Sequence, residues 1–493
     1  MKRFLIAMLM LVYSASIYGY IYVDHFNDIQ EYSARSFMFT RPIFANGAME
    51  QSLWHNFLNN KHDDGMGFAS QVTVAYQHSR TYTPAENYFL LKCKTVLTVA
   101  GDDAVSTDTC CRDIRAEWIG LPSDFSGKFC INPEQQQFGC IVELNQDLSA
   151  YFDSCLFDNT WVNVQLPIVW VKNKLNLRQF DIVPGTQNTP GGPTDIVQAF
   201  DQPTWNFGKI VCERSTCRLG AIILQMGKAF MSERNGMQVS YYSGLVIPTD
   251  NKQNPAYLFD ATAGYNNHAG LNAGVRFNVR LTEDDSWCSV CFFANLDDIF
   301  FIRNEQCRTL GLLHPDTRCP KPLSRFIAFN TRCPNEQNVP GVNILTRTVR
   351  SRPFNMIDFS TGLRFTFNEW IEGEVGYNIW GHGEEKIILR NKEFFYDNFG
   401  IAGSSIGNTA DSSTIAQQGP NDPVFTPIRE CDLDLRSAGA GPALNQKAHG
   451  SLGIQKFGDR VDYLLGAGWF LEFPHKNGAL KTYGAWAKAG ASF

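Results

Sequence analysis

A few constellations in the sequence carry residue types capable of chemistry. Gly403-Ser-Ser-Ile-Gly407 matches G-x-S-x-G, the sharp turn that exposes a nucleophilic serine. That turn needs a strand before it and a helix after it, and here it lies in a Gly-, Ser- and Asn-rich stretch with neither, so a plain loop is the reading. Cys288-Ser-Val-Cys291 has the spacing of a redox pair. Such a pair relies on a helix start to lower a thiol pKa; these cysteines fall in a strand pattern, where residues three apart point to opposite faces, and a structural or unpaired role follows. His382 and Glu384 could touch a metal, but two ligands fall short of a site. Lys447, His449 and Ser451 share one face of a strand, where a solvated lining is the simpler reading. No phosphate loop or dinucleotide fingerprint occurs. The expectation is a protein that is not an enzyme and uses neither cofactor nor metal.

Cysteine usage depends on compartment. Lys2 and Arg3 precede an apolar run from Phe4 to Val12, and Ser14, Ala15 and Ser16 supply small residues for cleavage. The run is too short for a membrane helix, which takes about 20 residues, so residues 1–19 read as an export signal. All 14 cysteines lie beyond it, where disulfides persist. Cys212 and Cys217 flank Glu-Arg-Ser-Thr, close enough to staple a hairpin turn; Cys307, Cys319 and Cys333 share one long loop. A net charge of -6 and a pI near 5.9 argue against nucleic acid, which asks for basic patches.

The elements that must position these residues are strands. Mean hydropathy is -0.21 and no stretch past the signal is apolar enough for a spanning helix, yet a membrane barrel needs only alternate residues to be apolar. Leu271, Ala273, Val275, Phe277, Val279 and Leu281 alternate with Asn272, Gly274, Arg276, Asn278 and Arg280. Ile357, Phe359, Leu363, Phe365 and Phe367 oppose Asp358, Ser360, Arg364 and Thr366. Beyond a turn at Asn368 to Trp370, Ile371, Val375, Tyr377 and Ile379 oppose Glu372, Glu374 and Asn378. Val461, Tyr463, Leu465, Ala467, Trp469, Leu471 and Phe473 oppose Asp462, Gly466, Gly468 and Glu472. The same period predicts strands over Gly67–Ser79, Val162–Trp170 and Tyr257–Tyr265, the last followed by a turn at Asn266 to Ala269.

A soluble sandwich also alternates. These segments, however, run about 10 to 13 residues against a usual 5 or 6, matching a tilted membrane crossing, and aromatic residues gather near the ends of their apolar faces. Short turns at Lys456–Asp459, Asn368–Trp370 and Thr282–Ser286 alternate with long segments, Arg303–Asn355 and Gly383–Leu444. The expected fold is all-β, a transmembrane antiparallel up-and-down barrel of about 14 to 16 strands over residues 67–493 with long external loops. Its lumen face would carry Arg276, Arg280, Asp358, Arg364, Glu372, Glu374, Asn378 and Asp462. A turn at Asn368–Trp370 pairs Phe367 with Ile371, which sets Arg364 opposite Glu374 and Thr366 opposite Glu372; a wetted pair of that kind contributes about 0 to 1 kcal/mol.

The last segment, Ala479 to Phe493, places Tyr483, Ala485, Ala487, Ala489, Ala491 and Phe493 on one face and Thr482, Gly484, Lys488, Gly490 and Ser492 on the other. It resembles the closing strand of Gram-negative outer-membrane β-barrels, whose terminal Phe is part of the signal read by their insertion machinery. Ala34 to Pro42 and Val164 to Val171 resemble segments of uncharacterised outer-membrane proteins from intracellular, amoeba-associated bacteria, and the cysteine content is similar to that of the chlamydial major outer-membrane porin. The resemblance implies an outer-membrane location, with lipid and the insertion machinery as partners and a homo-oligomer compatible with both. Residues 20–66 lack the alternation and read as a periplasmic extension, a plug in the lumen or a leader to the first strand. The first functional expectation is a porin passing small polar solutes by diffusion. The second is a disulfide-stabilised structural or adhesive surface barrel without an open pore; an apolar-substrate channel would need an apolar lumen.

Overall fold

The computed structural model describes residues 33–51, 67–80, 83–91, 94–105, 108, 111–152, 154–186, 191–232, 236–282, 287–313, 318–331, 339–368, 370–390, 399–401, 428–458, 460–475 and 477–493. The proposed export signal, Gly403–Gly407 and Cys333 lie outside them. Thirteen strands form one sheet, and one of these, Arg214–Leu219, continues the line of another past Gly220. The other twelve close a ring. They are β1 (Phe68–Arg80), β2 (Glu134–Asp147), β3 (Thr160–Lys174), β4 (Ile222–Ser232), β5 (Met237–Ile247), β6 (Gly270–Arg280), β7 (Cys288–Phe301), β8 (Met356–Phe367), β9 (Ile371–His382), β10 (Ala443–Lys456), β11 (Asp462–Pro474) and β12 (Lys481–Ser492). Each pairs antiparallel with its sequence neighbours, and β12 returns to β1 with Ser492 beside Ala69. The barrel is therefore a simple meander.

The ring has 12 strands, fewer than the 14 to 16 that alternation suggested. Tyr257–Tyr265 forms no ladder, although its residues alternate. Part of its backbone bonds to side chains instead, since Asn251 Oδ1 accepts from Ala263 N at 3.0 Å and Asn251 Nδ2 donates to Ala261 O at 2.9 Å, while Leu258 N donates to Lys209 O at 2.9 Å. Short polar side chains that bond the nearby backbone compete with a sheet. Other short strands, such as Leu97–Ala100, Ser126–Cys130 and Asn304–Thr309, pair in small separate sheets off the ring.

The register expected of β8 and β9 is the one observed: Phe367 pairs with Ile371, Thr366 with Glu372 and Arg364 with Glu374. Alternation then sorts the faces. Large apolar side chains point outward and remain exposed on every side, as with Val74, Leu271, Leu296, Val375, Leu452 (64% exposed) and Leu465. Trp287, Trp370, Phe457 and Tyr463 mark the rim that holds Phe68 and Phe493, and Tyr76, Phe138, Phe300 and Phe473 lie toward the other rim. The first rim is called the near end here. Its connections are 148–159, 233–236, 281–287, 368–370 and 457–461, whereas the far end carries 81–133, 175–221, 248–269, 302–355, 383–442 and 475–480.

The described parts of these far-end connections fold into a cap with apolar cores of their own. One packs Tyr88, Phe125, Phe129, Phe200, Trp205 and Phe326 together with Ala34 and Met38 from the N-terminal segment. A second gathers Leu312, Phe329, Leu345 and Val349.

Candidate functional site

The lumen is filled. Residues 33–51 descend from the cap into the barrel and end in a short helix, α1 (Gly47–Gln51), so among the three readings of the N-terminal stretch these residues adopt that of a plug. The lumen wall is shaped to receive it. Gly139 on β2 faces Ile43, where a Cβ would lie 2.8 Å from Ile43 Cγ2, and at Gly220 a Cβ would lie 2.7 Å from Phe44. The amide of Ile43 donates to Gln137 Oε1 at 2.8 Å, and Gln137 Nε2 donates to Arg41 O at 3.0 Å.

Charged groups cluster in three places along the lumen, two of which join plug to wall. Arg41 reaches Asp358 on β8 at 3.1 Å and Glu472 on β11 at 3.3 Å. Around it, Asn378 donates to Asp358 Oδ1 and to Ser360 Oγ, Asn445 donates to Glu472 at 2.7 Å, and Lys447 Nζ donates to Asn46 Oδ1 at 2.9 Å. Deeper, Glu50 of α1 meets Arg276 on β6 at 3.1 Å, while Lys488 Nζ donates to the carbonyls of Met49 and Glu50, each at 2.8 Å. Glu143 on β2 accepts from Gln71 and from Gln165. The third group lies within the wall: Arg364 contacts Glu374 at 2.9 Å and Glu372 at 3.0 Å, with His449 Nδ1 3.8 Å from Glu374.

These residues are buried, which corrects the expectation of a wetted pore lining. Lys447 and His449 are 1% and 2% exposed, and Glu372 is fully covered. Small plug residues and facing walls bring polar groups into one another's reach and leave little room for solvent. Several atoms nevertheless lack a protein partner: Ser451 Oγ, Asn445 Oδ1, His449 Nε2 and Asn46 Nδ2.

Of the expected lining residues, Arg276, Asp358, Arg364, Glu372, Glu374 and Asn378 belong to these groups. Asp462 accepts from Gly458 N at 3.1 Å and shapes the β10–β11 turn, and Arg280 is exposed at the near end. Glu472 and Lys488 lay on recognised polar faces without being singled out. Arg41, Asn46 and Glu50 carried no periodic signal. His382 and Glu384 do not converge: His382 Nδ1 contacts Gly383 O at 2.8 Å, and Glu384 pairs with Arg35 at 2.6 Å and Arg436 at 3.0 Å. Burial pulls the Glu384 carboxyl upward, but hydrogen bonds from Arg436 and Arg35 outweigh it and hold the group below its usual range. No cluster of three metal-ligating side chains occurs among the described residues. Cys212, Cys217 and Cys307 are free thiols, so the expected Cys212–Cys217 staple is not formed, and Cys319 is exposed.

The upper plug is anchored in the cap. Tyr88 Oη donates to Phe37 O at 2.7 Å, and burial pushes its phenol up to about 12. Ser36 Oγ donates to Thr309 O at 2.5 Å, and Ala34 N donates to Leu90 O at 2.6 Å.

No family model matches the chain, and no curated protein matches it. Among solved structures, an outer membrane channel from Pseudomonas putida F1 aligns at 10% identity and a TM-score of 0.35, covering 87% of this chain and 98% of that one. A deletion mutant of the monoaromatic hydrocarbon channel TodX aligns at 8% and 0.35, covering 94% and 98%. The transport unit of the autotransporter AIDA-I from Escherichia coli aligns at 8% and 0.30, covering 92% and 99%. At these scores the chain's own geometry must carry the functional reading.

Proposed function

We propose that this chain is a gated channel of the bacterial outer membrane for small polar solutes, closed at rest by residues 33–51. The observation that carries the reading is how the plug is held: at mid-lumen Arg41, Asn46 and Glu50 meet the wall through ion pairs and hydrogen bonds. Buried ion pairs are a poor route to stability, because desolvation offsets most of their attraction, and apolar fill would close a barrel more firmly. Ile43, Phe44 and Met49 add apolar packing against Trp380, Phe470 and Trp486, but the polar contacts beside them suit a plug that must leave and a wall that must then hold water. The exposed apolar belt with aromatic rims supports a membrane location, with the near end and its short turns on the periplasmic side. On this reading the chain is not an enzyme, its partners are lipid, the barrel-insertion machinery and the solutes, and opposite wall charges orient what passes. A steadily open porin does not suit a filled lumen.

The cap favours a second reading, a surface barrel that never opens, since its apolar cores bury part of the plug. Conductance of the refolded protein in planar bilayers separates the two. We expect rare openings for the natural chain and frequent ones for Arg41→Glu, which sets like charges beside Asp358 and Glu472. Silence from both, and from a chain lacking residues 33–51, would sink the channel.

A further inference from the structure

Outside the lumen, the cap carries a cleft at its surface lined by Ser36, Tyr257, Cys307, Arg308, Thr309 and Arg325, among others, enclosing about 300 Å3 with the solvent at its mouth. None of its lining residues is acidic. Arg308 and Arg325 are each 3% exposed, and the Nε of each is buried without a protein partner. Arg325 Nη1 and Nη2 donate to the carbonyls of Ala34 and Phe89, each at 2.8 Å, which orients the guanidinium but leaves its charge unmatched. Arg308 donates to the neutral amide oxygens of Gln253, at 3.2 Å, and Gln306, meets the Glu385 carboxylate at 3.5 Å and lies 3.1 Å from the Phe37 ring centre. One distant carboxylate therefore faces two buried cations. Burial drags Arg325 down to about 9 and, against the opposing pull of Glu385, Arg308 down to about 10.

We propose that this cleft is a binding site for a small oxyanion, the carboxylate or phosphate group of a solute or the free inorganic anion, received against Arg308 and Arg325. Each guanidinium keeps one unpaired donor, its Nε–H, and a desolvated guanidinium N–H binds an oxyanion through a charge-assisted hydrogen bond. The inner end takes only a water-sized group, so one oxygen enters and the rest of the ligand stays toward the mouth. The same two arginines hold Ala34 and Phe37 of the plug. An anion here stabilises the plugged state, since a ligand favours the state it binds. That coupling to opening rests on the channel reading; the site itself does not.

The test uses the full chain refolded in detergent. Its thermal midpoint is followed as inorganic phosphate, and separately acetate, replaces chloride at constant ionic strength. We expect a saturable rise of about 2 °C, with half-saturation shifted at least tenfold in Arg325→Gln and unchanged in Arg178→Gln, which alters an exposed arginine. A response to phosphate alone assigns an inorganic anion or phosphate ester, and a response to acetate alone assigns organic carboxylates. No saturable rise with either anion, or the same half-saturation in Arg325→Gln, overturns the site. Should Arg325→Gln fail to refold, Arg308→Lys replaces it: it keeps the charge, loses the Nε donor and must weaken half-saturation. Anion binding that leaves conductance unchanged would defeat the coupling and keep the site.

Discussion

At the scale of single residues, burial changes what a charge pair is worth. Arg364 sits between Glu372 and Glu374 with all three covered. Removing the cation leaves two buried carboxylates close together without compensation. Arg364→Gln should therefore cost about 3–5 kcal/mol, whereas Glu374→Gln should cost clearly less because Glu372 still partners the guanidinium. Urea midpoints of the two variants, read by loss of heat-resistant gel mobility, check the order; equal and small losses would mean that the group is wet after all. Gly139 supports a different expectation. A side chain there meets Ile43, so Gly139→Val should leave the barrel folded and raise the frequency of channel opening. An unchanged bilayer record would show that Ile43 yields without moving the plug.

At the scale of elements, the connection between β5 and β6 is held by Asp250, Asn251, Asn266 and Asn267 in place of a strand ladder. Burial pushes the Asp250 carboxyl up to about 6, against backbone hydrogen bonds that pull it down. An acid whose folded pKa is raised binds more protons folded than unfolded. Its connection is accordingly most stable below about pH 4, loses stability as pH rises toward 6, and carries the full penalty above. By linkage the change approaches roughly 3 kcal/mol. Hydrogen exchange of residues 248–269 should quicken between pH 4 and pH 7 beyond the intrinsic rate, and Asp250→Asn should flatten that excess; an equal excess in the variant would place its source elsewhere.

At the scale of the whole molecule, a closed ring has no free edge and resists mild detergent. The protein should migrate faster on gels unheated than boiled and show a β-rich circular dichroism spectrum. A chain that stays monodisperse in water without detergent would defeat the membrane reading. Much of the ring was legible in advance. Which residues of β6, β8, β9, β11 and β12 face the lumen follows from a period of two along each strand, and the short Asn368–Trp370 turn then sets the β8–β9 register through Phe367 and Ile371. Those are local properties, carried by residues a few positions apart. Strand number was not local: Tyr257–Tyr265 alternates as well as a strand does, yet its backbone bonds to Asn251 and Lys209 rather than to a strand of the ring. The state of the lumen was still further from reach. Arg41 meets Glu472 across 431 positions of sequence, and no pattern in residues 33–51 announces that they fill the barrel. Periodicity along a chain determines which side of a wall a residue faces, whereas whether that wall meets water or another segment is decided by contacts that exist only once the ring has closed around it.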